Sequence, residues 1–216
     1  MKEQTKLSNS PPQVAIRAQR IKPQRSPTVI PMGVSLLAIM LLTSCVVTSL
    51  YPFYTSKDLV FDQSLLGEWV DAATTNQPAD FFRVERQGEK GYVMTAFTAS
   101  ETNTSEANLF RLKQHLFLDV FPTNRSLDYV PVHQLTKLTR LEPEIEGVNL
   151  NYDWLAKLLE KRPGAIRHLV LPDKPGDDQG GRVVLTAGTA ELQRFILKHV
   201  NNTNAWNEPS KWKRRN

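Results

Sequence analysis

The sequence has 216 residues, of which 40% are apolar and 23% are charged, and this near-average composition excludes a collagen-like or wholly disordered chain. The formal charge of +5 is confined to residues 1–30, where six basic residues stand against one acidic residue. Because the charges of residues 31–216 cancel, the basic balance does not predict nucleic acid as a partner.

The first 44 residues change composition in three steps. Residues 1–28 are polar and basic and contain four prolines, which predicts disorder. Residues 29–42 (VIPMGVSLLAIMLL) are apolar and uncharged, with the length of a secretory h-region and short for a bilayer span. Leu42-Thr43-Ser44-Cys45 follows directly and contains the only cysteine of the chain.

This leader resembles a bacterial lipoprotein signal peptide that ends in a lipobox, with residues 1–44 as the cleaved part. The resemblance implies a diacylglyceryl group on the Cys45 thiol and cleavage before Cys45. It therefore implies an extracytoplasmic domain of the bacterial cell envelope, held by acyl chains such as palmitate, with the membrane as a partner. Two or three acyl chains anchor a protein stably, whereas one chain binds only marginally.

Two alternatives stay open for the same segment. No charged residue occurs between Val29 and Ser56, so an uncut helix through Leu50 could span the bilayer once with its basic side inward. Ordinary secretion with a cut after Ser49 is the other alternative, because Val47 and Ser49 occupy the small-residue positions. All three interpretations predict export.

We expect a lipidated tether over residues 45–62, a folded domain over 63–200 and a disordered basic tail over 201–216. Short segments rich in Val, Phe, Leu and Thr, spaced by roughly 8–14 residues and separated by turn-prone stretches, predict antiparallel strands. These segments lie at residues 65–70, 80–86, 92–99, 107–112, 116–121, 130–139, 145–150, 165–171 and 182–187. The pattern favours a mainly β (α+β) fold, as an antiparallel barrel or sandwich.

Two helices are predicted within this domain. Asn151 can cap an inserted helix that runs to residue 161, with apolar side chains on one face, and Pro163-Gly164 ends it. A C-terminal helix begins after Gly188 and directs Leu192 and Phe195 toward the sheet.

Gly67-Glu68-Trp69 lies on the first predicted strand, where alternation places Gly67 and Trp69 on the face opposite Glu68. This Gly-x-Trp resembles the lipocalin-type barrel signature, in which the Trp packs across the closed end and the Gly lets the backbone pass close. With Val130-Pro131-Val132-His133 and other short segments, it is similar to a group of bacterial lipoproteins with a presumed lipocalin-like domain. The resemblance implies barrel closure by Gly67 and Trp69 and supplies no catalytic residue.

The sequence predicts no catalytic residue, metal site or cofactor. It lacks a phosphate-binding glycine loop and a Gly-x-Ser-x-Gly elbow, and its four histidines lack close metal-ligand spacing. We expect a binding or scaffolding module that takes an apolar ligand or an envelope protein, or a purely structural domain if the barrel interior is filled. The alternative is an envelope enzyme with an acid-lined cleft, with acids such as Asp119, Asp128 or Glu142 assembled by the fold.

Overall fold

The computed structural model describes residues 47–75, 80–123, 130–171 and 182–215. Within these ranges the chain forms eleven strands, two α-helices and three short 3-10 helices. The strands are β1 (Thr48–Ser49), β2 (Gly67–Asp71), β3 (Phe81–Gln87), β4 (Gly91–Phe97), β5 (Thr102–Leu112), β6 (His115–Pro122), β7 (His133–Arg140), β8 (Ile145–Asn149), β9 (His168–Leu171), β10 (Arg182–Leu185) and β11 (Ser210–Arg214). The helices are α1 (Tyr152–Lys161) and α2 (Thr189–His199), and the 3-10 helices are Gln63–Leu65, Pro163–Ala165 and Thr203–Ala205.

Eight of the strands close into an antiparallel barrel. The strands from β2 to β8 follow one another in chain order, each antiparallel to the next, and β11 closes the barrel by pairing with both β8 and β2. A closed barrel leaves none of these eight strands as an open edge. The fold is therefore mainly β with two helices, as predicted, and the barrel is consistent with a lipocalin-like architecture.

A small side sheet extends from β7. Strand β1 pairs with the beginning of β7 in antiparallel fashion and with β10 in parallel fashion. Strand β9 pairs with the other side of β10. The side sheet thus consists of β1, β10 and β9, in this order from the barrel wall, and β9 is its outer strand.

The two helices cover the outer face of the barrel near β5 to β8. Helix α1 begins where expected, because the Asn151 side chain accepts a hydrogen bond of 2.8 Å from the Trp154 backbone N–H. One apolar face of each helix is buried in a cluster that includes Phe110 and Phe117, whose side chains point outward from the barrel. The buried helical residues are Leu155, Leu159, Leu192, Phe195 and Ile196. This outer core is separate from the apolar core inside the barrel.

The described part of the predicted tether lies against the barrel. Val47, Ser49 and Phe53 are buried. The Val60 backbone N–H donates to the carbonyl of Leu109, so the segment also pairs with the end of β5, beyond the residues that pair with β4. From residue 47 onward the chain belongs to the folded body, while Cys45 lies outside the described residues.

The disordered tail predicted for residues 201–216 is wrong over its described part. Ser210–Arg214 is strand β11, and Trp212 is buried inside the barrel. The error has a physical reason: β11 contains a single apolar side chain between basic residues, and its stability comes from hydrogen bonding to two neighbouring strands. The predicted C-terminal helix α2 is present, but the chain continues past it to complete the barrel.

Candidate functional site in the barrel interior

The barrel contains a cavity of about 100 Å³. Its wall is built from the inward-facing side chains of strands β3 to β8 and β11, because alternate residues of each strand point into the barrel. Most of the wall is apolar, with Phe82, Val84, Met94, Ala96, Leu118, Val120, Ile145 and Trp212 among the lining residues. Side chains therefore do not fill the barrel interior completely.

One end of the barrel is sealed by the turn that precedes β2. This turn contains the 3-10 helix Gln63–Leu65, in which Leu65 is buried. The Leu65 carbonyl accepts a hydrogen bond of 2.9 Å from the Trp69 indole N–H. Trp69 is 1% exposed, on the inward face of β2 as predicted from the strand alternation. The ring is thus buried in the apolar core inside the barrel, and its polar N–H is satisfied.

Arg214, at the end of β11, covers the same seal from outside. Its guanidinium lies over the Trp69 ring, 4.2 Å from the ring centroid. It also donates hydrogen bonds to the carbonyls of Leu66 and, at 2.9 Å, Ser64. One side chain therefore joins the last strand of the barrel to the first strand and to the turn before it.

Gly67 is required by this arrangement for two reasons. Its φ of +118° lies in a region that side-chain-bearing residues rarely adopt. A Cβ at this position would also collide with the Arg214 guanidinium. The glycine of the Gly-x-Trp pattern thus leaves the space through which Arg214 reaches the turn.

Tyr92 fastens the turn to the inside of the barrel. Its hydroxyl accepts a hydrogen bond of 2.7 Å from the Asp62 backbone N–H and donates one of 3.1 Å to the Asp62 carbonyl. Phe61 stacks on its ring, with 5.2 Å between the ring centroids. Burial raises the pKa of Tyr92, so the phenol stays neutral at physiological pH.

The opposite end of the cavity is polar but uncharged. Its polar lining residues are Asn103, Ser105, Gln134, Thr136 and Asn149. Asn103 lies near the start of β5, Gln134 near the start of β7 and Asn149 at the end of β8, which are the strand ends opposite the Trp69 seal. The Thr136 hydroxyl donates to Asn149 Oδ1 at 2.8 Å. These side chains can offer hydrogen bonds to a ligand without placing a charge in the cavity.

The acids predicted for an enzymatic cleft do not meet in this cavity. Asp119 points outward from β6 and is covered by the segment around Phe53. Glu142 lies in the turn between β7 and β8 and is exposed. Asp128 lies outside the described residues, so the described part of the chain brings together no pair of these acids.

Asp119 instead fastens the N-terminal segment to the barrel. Its carboxylate is fully buried, with Oδ1 at 2.7 Å from His133 Nδ1 and Oδ2 accepting a 3.0 Å hydrogen bond from the Phe53 backbone N–H. Both oxygens are thus occupied by groups of the protein itself. We interpret this pair as a structural contact between the barrel wall and the N-terminal segment.

Arg214 and Trp212 both lie in the predicted tail, and no sequence pattern identifies them as residues of the barrel. The available signal was weak: a Trp between lysines, with alternation too short to distinguish a strand from a polar terminus. Only the pairing of β11 with strands far away in the sequence identifies it.

Within the described ranges, no three His, Cys, Asp or Glu side chains cluster so that they could hold a metal ion. The helices in this part of the chain are all too short or too polar to cross a bilayer. Comparison with known proteins gave no match to any family model, to any curated protein or to any solved structure.

Proposed function

We propose that this chain is a lipid-anchored lipoprotein of the bacterial cell envelope whose barrel binds a small, uncharged, largely apolar ligand. The observation that supports the binding role is the apolar cavity, bounded at one end by Leu65 and lined with neutral polar groups at the other. The anchor rests on the lipobox resemblance at Leu42-Thr43-Ser44-Cys45.

The residues that line the cavity determine which charge a ligand can carry. Among the described residues around the cavity, Tyr92 is the one ionisable group, and its hydroxyl is occupied by Asp62. An anion such as a carboxylate would lose its hydration here without gaining a cationic partner, which costs several kcal/mol or more. A neutral head group could instead bind the amides of Asn103, Gln134 or Asn149.

The size of the ligand follows from the volume. An apolar cavity of roughly 150 Å³ can hold benzene, so the cavity of about 100 Å³ is too small for an aromatic ring and suits a short alkyl chain. Burial of such a group removes apolar surface from water at about 25 cal/mol per Å².

A matched pair of small probes tests the cavity. We expect ¹⁹F NMR titration of the folded protein to show saturable binding of the short alcohol 3,3,3-trifluoropropan-1-ol. The anion 3,3,3-trifluoropropanoate, which has the same trifluoroalkyl group, should bind at least about tenfold more weakly because its charge is unpaired in the cavity. Equal affinity of the two probes, or no saturable binding of the alcohol, would contradict the proposal.

A pair of variants on one strand assigns the binding to the interior. Ala96 lines the cavity, whereas the neighbouring Thr95 points to the outer face of β4. Ala96→Leu should weaken binding of the alcohol several-fold by filling the cavity, and Thr95→Leu should leave it unchanged. If both variants bind as the wild type does, the probe occupies another site.

The anchor is tested separately in a bacterial host that expresses the full chain. We expect the wild type to be found with the membranes and to incorporate a fatty-acid probe, and Cys45→Ala to lose the probe and retain its leader. Equal labelling of the variant, or a mature wild type that begins at Leu50, would contradict the lipoprotein proposal.

A further inference from the structure

Strand β9 exposes three consecutive apolar side chains. Leu169 is 53% exposed, Val170 is 56% exposed and Leu171 is 39% exposed. Since neighbouring residues of a strand point to opposite faces, both faces of β9 are exposed. In the described part of the chain β9 pairs with β10 alone, so its second edge is open as well.

The register of the side sheet places β9 beside the point where the chain leads back to Cys45. Thr48 lies opposite Val184 in the parallel pair, and Val184 lies opposite Leu169 in the antiparallel pair. One residue earlier, Val47 is level with Val170. Because neighbouring strands lie about 4.8 Å apart, two spacings put Val170 about 10 Å from Val47.

A very short stretch of chain separates Val47 from Cys45, the proposed acylated residue. Val47 is buried in the body of the protein, and Val46 is the single residue between it and Cys45. Since one residue spans at most about 3.5 Å, the Cys45 Cα lies within about 7 Å of Val47. An acyl chain on Cys45 therefore brings this side of the protein to the bilayer surface.

We propose that β9 is the membrane-contacting edge of this protein, with Leu169, Val170 and Leu171 in the head-group layer of the bilayer that holds Cys45. This inference rests on the proposed lipid anchor. On the second edge of β9 the backbone N–H and C=O groups have no strand partner in the described part of the chain, so they require water or lipid head groups. The strand therefore lies at the interface and not in the hydrocarbon core. Exposed Arg182, opposite Leu171, favours anionic lipids.

Spin labels on two exposed strand residues test the contact. Val170→Cys places a label on β9, and Glu85→Cys places one on exposed β3, which lies across the barrel from β7. Because the thioether blocks Cys45, each full-length variant offers one free thiol, and the acylated wild type provides the unlabelled control. The proteins are expressed with their leader, purified from the membrane and soluble fractions, and labelled. The membrane-bound protein is returned to vesicles that contain anionic phosphatidylglycerol and is measured by EPR with oxygen and a water-soluble nickel complex.

We expect the ratio of oxygen accessibility to nickel accessibility at position 170 to be several-fold higher than at position 85. Equal ratios in acylated, membrane-bound protein would overturn the contact while leaving the anchor intact. Dipolar broadening at position 170 would show that a second copy pairs with β9, which also overturns it. A wild type that takes up the label and is absent from membranes would contradict the anchor, and the contact with it.

Discussion

The Arg214 side chain connects β11, the last strand of the barrel, to β2, the first strand, and to the turn before β2. Replacing Arg214 with Ala removes the stacking on Trp69 and the hydrogen bonds to Ser64 and Leu66. We expect the free energy of unfolding to fall by roughly 1–3 kcal/mol, measured by urea denaturation. The free energy of unfolding of Arg214→Lys should lie between those of the wild type and Arg214→Ala, because lysine retains the charge but lacks the planar guanidinium.

A double-mutant cycle with Gly67 checks that assignment. Gly67→Ala should destabilise through its positive φ and through displacement of the Arg214 guanidinium. Once Arg214 is Ala, the second cost disappears, so the double variant should lose less stability than the two single variants together. Strict additivity would show that Gly67 and Arg214 do not interact.

Asp58 makes the attachment of the N-terminal segment dependent on pH. Burial acts to raise its pKa, but hydrogen bonds from Thr55 and Gln193 outweigh burial and hold the pKa below its ordinary value. A carboxylate whose pKa is lowered by folding stabilises the protein above its unfolded-state pKa, and the contribution is lost as pH falls through the folded-state pKa. We expect Asp58→Asn to flatten the acid limb of stability against pH, and the exposed control Glu160→Gln to leave it unchanged.

Strand β11 is the element on which closure of the barrel depends. Trp212→Ala removes a buried aromatic ring from the interior and should cost roughly 3–5 kcal/mol in unfolding free energy. Lys211→Thr, next to it on the outer face, removes an exposed ion pair with Glu146 and should change stability by less than about 1 kcal/mol. Thermal denaturation of both variants is the measurement, and similar melting temperatures would contradict the role of β11.

The contrast between α1 and β11 shows which part of the fold the sequence can predict. Helix α1 was predicted with its correct limits, because its cap at Asn151, its apolar face and its stop at Pro163 are all local signals. Strand β11 was missed because its stabilising partners, β2 and β8, are remote in the sequence. Gly67 and Trp69 were predicted from a pattern, whereas Arg214 has no pattern of its own.

The extent of β5 shows a second limit. The sequence predicted a strand only over residues 107–112, whereas β5 begins at Thr102. Its first half is polar, and Asn103 and Ser105 belong to the cavity. A strand that lines a cavity with polar groups loses the apolar alternation by which strands are predicted.

At the scale of the whole molecule, Asp119 links the barrel to the segment that covers its outer face. Asp119→Ala leaves the Phe53 N–H and His133 without their buried partner and should cost roughly 1–3 kcal/mol. We expect faster cleavage between residues 47 and 62 under limited proteolysis, with the products identified by mass spectrometry. Asp119→Asn, which retains one acceptor oxygen, should show a smaller effect, and equal cleavage of Asp119→Ala and wild type would contradict the link.

The pairing of Trp69 with Arg214 joins the first strand of the barrel to the last. Strands β2 to β8 pair with their neighbours in chain order, but the gap between β8 and β2 is closed only by β11. Without β11, β2 and β8 present unpaired edges and an unsealed apolar interior, which are targets for proteases and for aggregation. A chain that lacks β11 thus keeps both edges unpaired, and we expect it to be degraded or to aggregate more readily than the full chain.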